Sequence, residues 1–174
     1  MEEMVRCGGG VRAESPWPEI RVQRRDLRYA RAILSNVGGM GSEMSAVGLY
    51  LYDGLVLSGR EELGQLFHET AQTEMRHLEV FSRLALLLGE EPRLWSIQRG
   101  RRLWWTPEYL QYDRMIGPLL QNAIRSEQAA IQKYESQARW IGDEYVRAVL
   151  RRVIEDETCH LEQFQRLWRM HTGR

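Results

Sequence analysis

The chain has 174 residues, 43% hydrophobic and 28% charged, with 24 basic residues set against 24 acidic ones. That is enough chain for one domain with a sizeable core, in the composition range of an ordinary globular protein. A formal net charge of +0 argues against a nucleic-acid or membrane-surface protein, whose partners demand a basic bias, and no apolar run approaches the roughly 18 residues of a membrane span.

Residues 1–25 mix glycine, proline and charge ("CGGGVRAESPWPEI") and read as an irregular tail, with residues 26–174 as one helical domain. The opening "MEEMVRCGGG" has no apolar stretch of signal-peptide length. Cys7 and Cys159, the chain's two cysteines, are too few for a disulfide framework or a four-cysteine metal site, and point to a reducing, cytoplasmic setting.

Helical periodicity begins in "DLRYARAILSNV" and resumes in "SEMSAVGLYLYDGLVL" after "GGMG". Glycines inside a helix cost roughly 1 kcal/mol each relative to alanine, so "GGMG" reads as a break or kink rather than as a site of close backbone approach. A turn at "SGREE" leads into "LGQLFHETAQTEMRHLEVFSRLALLLG", where Glu61 and Glu62 suit a helix start and Gly89, then Pro92, a stop. Residues 89 to about 113 are too broken for one helix and read as a long crossover. A further helix carries "LLQNAIRSEQAAIQKYESQARWI", with Pro118 near its start; Gly142 and Asp143 then offer a stop and an N-cap, and the last helix follows. Short turn, long connection, short turn describes an all-α four-helix bundle made of two helical hairpins joined by a long crossover.

The hairpins resemble each other. "EMRHLEVF" (74–81) and "ETCHLEQF" (157–164) share Glu, His, Leu, Glu and Phe, and the helices before them carry "SEMSAVGLY" and "SEQAAIQKY" at an offset differing by one residue. An internal duplication is the natural reading. On a helix, residues i and i+3 share a face. Two Glu-x-x-His helices and one glutamate from each of the others therefore enclose a space with four carboxylates and two imidazoles: Glu43, Glu74, His77, Glu127, Glu157 and His160. Such a set suits two divalent ions, and hard oxygen ligands with imidazoles suit iron or manganese. A paired redox centre can cleave peroxide or reduce dioxygen by two electrons.

Tyr50 and Tyr134 lie two turns after Glu43 and Glu127, on the same face, as core residues or as donors to ligand carboxylates. Asp156 can accept the free N–H of a ligand histidine on a facing helix, or can lie at the surface; its counterpart in the other hairpin is Thr73, which would make the site asymmetric. His68 and His171 are expected to face elsewhere, Cys159 to be a small core residue, and Leu78, Leu161, Phe81 and Phe164 to be core. "RRLWWTPEYL" is expected to cover the bundle or form a subunit contact. Six tryptophans are hard for a lone bundle to bury, so a homodimer is expected.

These residues resemble the ferritin-like superfamily, whose signature is one Glu, Glu-x-x-His, one Glu, Glu-x-x-His. The resemblance spans about residues 27–171 and is similar in detail to the rubrerythrin and manganese-catalase branches. It implies two bound iron or manganese ions and a small oxidant as substrate, peroxide or dioxygen. The activity it implies is catalase- or peroxidase-like handling of hydrogen peroxide; ferrous-iron oxidation and a metal-stabilised structural or assembly protein without turnover are the alternatives. Rubrerythrins carry a second glutamate one turn after the third-helix ligand, where this chain has Ala130, and a rubredoxin-like iron module for which it lacks cysteines. Electrons for peroxide reduction would then come from a separate protein, whereas disproportionation needs none.

Overall fold

The computed structural model describes residues 5–57 and 59–173. The acidic "MEEM" start and Ser58 of the "SGREE" turn lie outside the described residues. Asp26 opens the first helix, α1 (Leu27–Gly38), its side chain accepting from the Arg28 and Tyr29 amides. The chain breaks at Gly39–Ser42 and continues as α2 (Glu43–Val56). Then come α3 (Glu61–Leu88), the crossover, α4 (Ile116–Trp140) and α5 (Glu144–Thr172). Split α1 and α2 together occupy the place that α4 fills as one helix, completing a ferritin-like four-helix bundle. No helix among the described residues is long and apolar enough to cross a membrane.

Most expected punctuation is observed. Gly89 takes the left-handed conformation (φ 111°) that ends α3. Asp143 caps α5 by accepting from the Tyr145 and Val146 amides. Pro118 sits in the first turn of α4, where its missing N–H costs nothing. "GGMG" is both a break and a close approach: a Cβ on Gly38 would lie 2.3 Å from the Trp95 backbone nitrogen. What approaches is the crossover, and Lys133 of α4 fastens the break by donating to the Ser35 and Gly41 carbonyls at 2.8 and 3.0 Å.

The crossover contains a β-hairpin that the helical reading missed, β1 (Trp95–Gln98) paired antiparallel with β2 (Arg101–Trp104). Its signal is in the sequence: aromatic and β-branched residues flank a two-residue Arg-Gly turn, and both turn residues have positive φ (Arg99 49°, Gly100 75°). The N-terminal segment is irregular, with no helix or strand from residue 5 to 26, yet it is packed on the bundle. Val11 and Ala13 are buried, and Arg152 of α5 donates to the Ala13 and Ser15 carbonyls. This strap ends at a disulfide between Cys7 and Cys159. Cys159 is buried as expected but is not a simple core residue, and a disulfide departs from the expected reducing setting.

Two apolar clusters flank the middle of the bundle, one holding Phe81 and Tyr134, the other Tyr50, Phe67 and Phe164. Within the second half of α2, Asp53 is buried with Oδ1 lacking any hydrogen-bond partner. Burial and the nearby Asp113 carboxylate push its pKa up to about 8. A pKa raised on folding stabilises fully below the unfolded value, and that contribution is lost as pH rises through about 8. Asp53→Asn should therefore leave the melting temperature nearly unchanged in acid and raise it well above pH 8, at about 2–4 °C per kcal/mol. Melts of both proteins across pH test this; parallel curves would refute it.

Candidate metal centre

Each helix of the bundle contributes to one polar box between the apolar clusters. Glu43 comes from the first turn of α2, Glu74 and His77 from α3, Glu127 from α4, Glu157 and His160 from α5. All six are buried, none more than 2% exposed. The ligand atoms form two overlapping groups, Glu43, Glu74, His77, Glu157 and Glu74, Glu127, Glu157, His160, each within 4.8 Å of one another. Glu74 and Glu157 belong to both groups and would be shared between two ions. Glu43 with His77, and Glu127 with His160, belong to one group each and would hold one ion each.

His77 Nδ1 lies 3.3 Å from Glu74 and 3.4 Å from Glu157; His160 Nδ1 lies 2.9 Å from Glu157 and 3.0 Å from Glu74. Oε1 of Glu74 and Oε1 of Glu157 are the oxygens that His160 Nδ1 and His77 Nδ1 approach, yet neither accepts a well-formed hydrogen bond there. Four carboxylates and two imidazoles whose lone pairs converge on one buried space are what two cations would satisfy, so the donor set fits a dinuclear carboxylate centre.

Protons balance the charge otherwise. Burial, then the neighbouring carboxylates, push Glu43 and Glu127 well above the usual carboxyl range. Burial opposes ionisation of Glu74 as well, but the His160 and His77 imidazoles outweigh it and hold its pKa low. The surrounding carboxylates likewise overcome burial and raise both imidazoles. These directions favour protons on the two outer acids and on the imidazoles.

Both tyrosines are buried, and each makes one hydrogen bond to a carboxylate of the cluster. Tyr50 donates to Glu127 and Tyr134 to Glu43, each crossing from its own helix to the ligand of the opposite hairpin. Their rings pack on Phe164 and Phe81 in the two apolar clusters. Burial and these carboxylates push both phenols well up, so each stays a protonated donor.

Asp156 breaks the duplication. Its Oδ2 lies 3.1 Å from His77 Nε2, and Oδ1 accepts from the Ala13 amide at 2.7 Å and pairs with Arg152 at 2.7 Å. His160 Nε2 has no such acceptor. Thr73, at the matching position, bonds its own helix and receives Arg12 of the strap. Trp17 of the strap stacks on Arg152 at 4.7 Å and sits 6.0 Å from the His77 ring. The strap residues were missed by sequence reading, because an irregular segment carries no period that points to its partner. His68 and His171 are exposed and take no part.

A cavity of about 500 Å³ opens onto Glu43, Glu74, Glu127 and Glu157. Ala46 and Ala130, each one turn after a helix ligand, leave room in its wall. The absent second glutamate at position 130 thus becomes open space above the carboxylates.

The Rubrerythrin family model matches residues 39–168. The chain belongs to the Rubrerythrin family. This Rubrerythrin-family chain finds no match among curated protein sequences. Solved structures share its fold. KatB, a manganese catalase from Anabaena PCC7120, superposes with a TM-score of 0.79 at 21% identity, covering 92% of this chain and 80% of that one. The bacterioferritin of Rhodobacter capsulatus gives 0.72 at 16% identity, covering 86% and 88%. That of Desulfovibrio desulfuricans gives 0.70 at 20%, covering 84% and 82%.

Proposed function

We propose that this chain is a dinuclear iron or manganese oxidoreductase acting on hydrogen peroxide. The observation that carries the reading is two ligand groups sharing Glu74 and Glu157 beneath an open cavity. The structural neighbours lend support, one being a manganese catalase and another a bacterioferritin with a diiron site. A bound metal pair supplies reversible two-electron chemistry and a position at which peroxide can be polarised. The protein's part is to hold it. Glu74 and Glu157 would be shared by the two ions, Asp156 would aim His77, and Tyr50 and Tyr134 would fix the outer carboxylates. Apolar clusters on either side keep bulk water to the cavity face.

Ferrous-iron oxidation is the second reading, favoured by the bacterioferritin neighbours. Protein loaded separately with manganese and iron should consume peroxide catalytically with at least one of them. Consumption of ferrous ion without peroxide turnover would favour iron oxidation; neither activity would leave a metal-stabilised structural protein. A homodimer completes the proposal, motivated by Leu103 and Trp104, which the hairpin leaves 38% and 54% exposed. A monomer in sedimentation would contradict it.

A further inference from the structure

We propose that Cys7 and Cys159 are the chain's own two-electron donor: a dithiol that hydrogen peroxide oxidises to the disulfide through the metal centre, and that an external dithiol restores. The inference rests on the peroxide reading above and assigns its reductant.

Cys159 lies between Glu157 and His160 on α5 and is fully buried. It is one peptide bond from a ligand residue, so its sulfur is within about 10 Å of that imidazole, given consecutive Cα atoms about 3.8 Å apart. The duplication does not account for it, since the matching position beside His77 is Arg76 on the bundle surface. The chain has two cysteines, and 152 residues of separation have not kept them from pairing with a Cα–Cα distance of 5.5 Å.

Cys159 is closed to solvent, whereas Cys7 is partly exposed and begins a glycine turn, Gly8 and Gly9 having φ of 50° and 80°. An external thiolate can attack only at Cys7, with Cys159 leaving. The turn then lets Cys7 move while the strap stays docked: Gln163 donates to the Gly9 carbonyl at 3.0 Å, and Arg152 and Asp156 hold Ala13. The two thiols thus remain near each other for the next oxidation.

The balance closes. Two thiols and one hydrogen peroxide give one disulfide and two waters. The O–O bond breaks, the S–S bond forms, two electrons pass from sulfur to oxygen, and both thiol protons leave with the oxygens. An external dithiol returns two electrons and two protons by exchange at Cys7. The separate electron donor expected from the sequence is then needed only for this second step.

The test uses the full chain, loaded with manganese or iron, reduced with dithiothreitol and desalted without air. One equivalent of hydrogen peroxide is added, and free thiols under denaturing conditions and dissolved oxygen are measured. The proposal predicts loss of both thiols per chain with no oxygen evolved, at a rate at least about tenfold above that of the metal-free protein, whose buried thiol is poorly reactive by itself. Oxygen release with both thiols retained would overturn the proposal while leaving peroxide disproportionation standing. Equal thiol loss with and without metal would overturn it too, as direct oxidation. Peroxide left unconsumed would sink this proposal and the peroxide reading together. Cys7→Ser, if it keeps the parent's metal content, should lose dithiothreitol-driven peroxide turnover; if it does not fold, the wild-type measurement stands alone.

Discussion

Adding manganous or ferrous ions to the metal-free protein should raise its melting temperature by about 10–20 °C. Each ion held at a free concentration a hundredfold above its Kd contributes about 2.7 kcal/mol, and a domain of this size gains about 2–4 °C per kcal/mol. The gain should grow with pH. In the metal-free protein Glu43, Glu127, His77 and His160 all have pKa values raised by folding. Such groups stabilise fully below their unfolded values, and that stability is lost as pH rises through the folded ones. The metal-free protein should therefore weaken as pH climbs past the ordinary glutamate and then histidine ranges. Bound metal replaces those protons, so loading in weak buffer should also acidify the solution. A metal-induced gain that shrinks as pH rises would contradict this account.

Asp156→Ala should be the most damaging single change outside the six proposed ligands. Burial pushes Asp156 up, but His77, Arg152 and the Ala13 amide together hold its pKa below the usual range, so it is a buried anion. Truncating it leaves Arg152, 5% exposed, without its carboxylate. Removing one partner of a buried ion pair costs about 3–5 kcal/mol. It also frees the His77 ring, and loss of such a partner costs about 10–100-fold in metal affinity. Asp156→Asn keeps an acceptor for His77 but lacks the charge that Arg152 needs, so its melting temperature should fall while metal affinity changes less. Urea melts and metal titrations of both variants separate the two roles. Equal losses of affinity would show that Asp156 acts through the fold and not through the His77 ring.

The contrast between the candidate ligands and the strap shows what this sequence makes legible. The six converging residues sit at spacings fixed by the helical turn, and the duplication states the pattern twice, so periodicity alone brings Glu43, Glu74, His77, Glu127, Glu157 and His160 to one box. Asp156, one residue before Glu157 and off that spacing, stays open in the sequence between a partner for histidine and a surface position. The direction of the tyrosines was not legible, because which opposing carboxylate a phenol reaches depends on how the helices pack. Ala13, Trp17 and the Cys7–Cys159 link were invisible to periodicity: each joins an irregular segment to α5 across most of the chain. The hairpin was legible at Arg99–Gly100 but is only four residues per strand, short enough to be lost within a crossover.

The central claim, a dinuclear centre with one ligand from α4, is tested most directly by metal stoichiometry. Glu127 is buried among the converging groups, whereas Glu135, on the same helix, is exposed and faces Arg139 at 3.9 Å. Parent, Glu127→Ala and Glu135→Ala should be prepared without chelators and analysed for iron and manganese per chain. Two ions in the parent and in Glu135→Ala, with fewer in Glu127→Ala, is the expected result. Two ions per chain in Glu127→Ala, or none in the parent after anaerobic loading, would contradict the assignment.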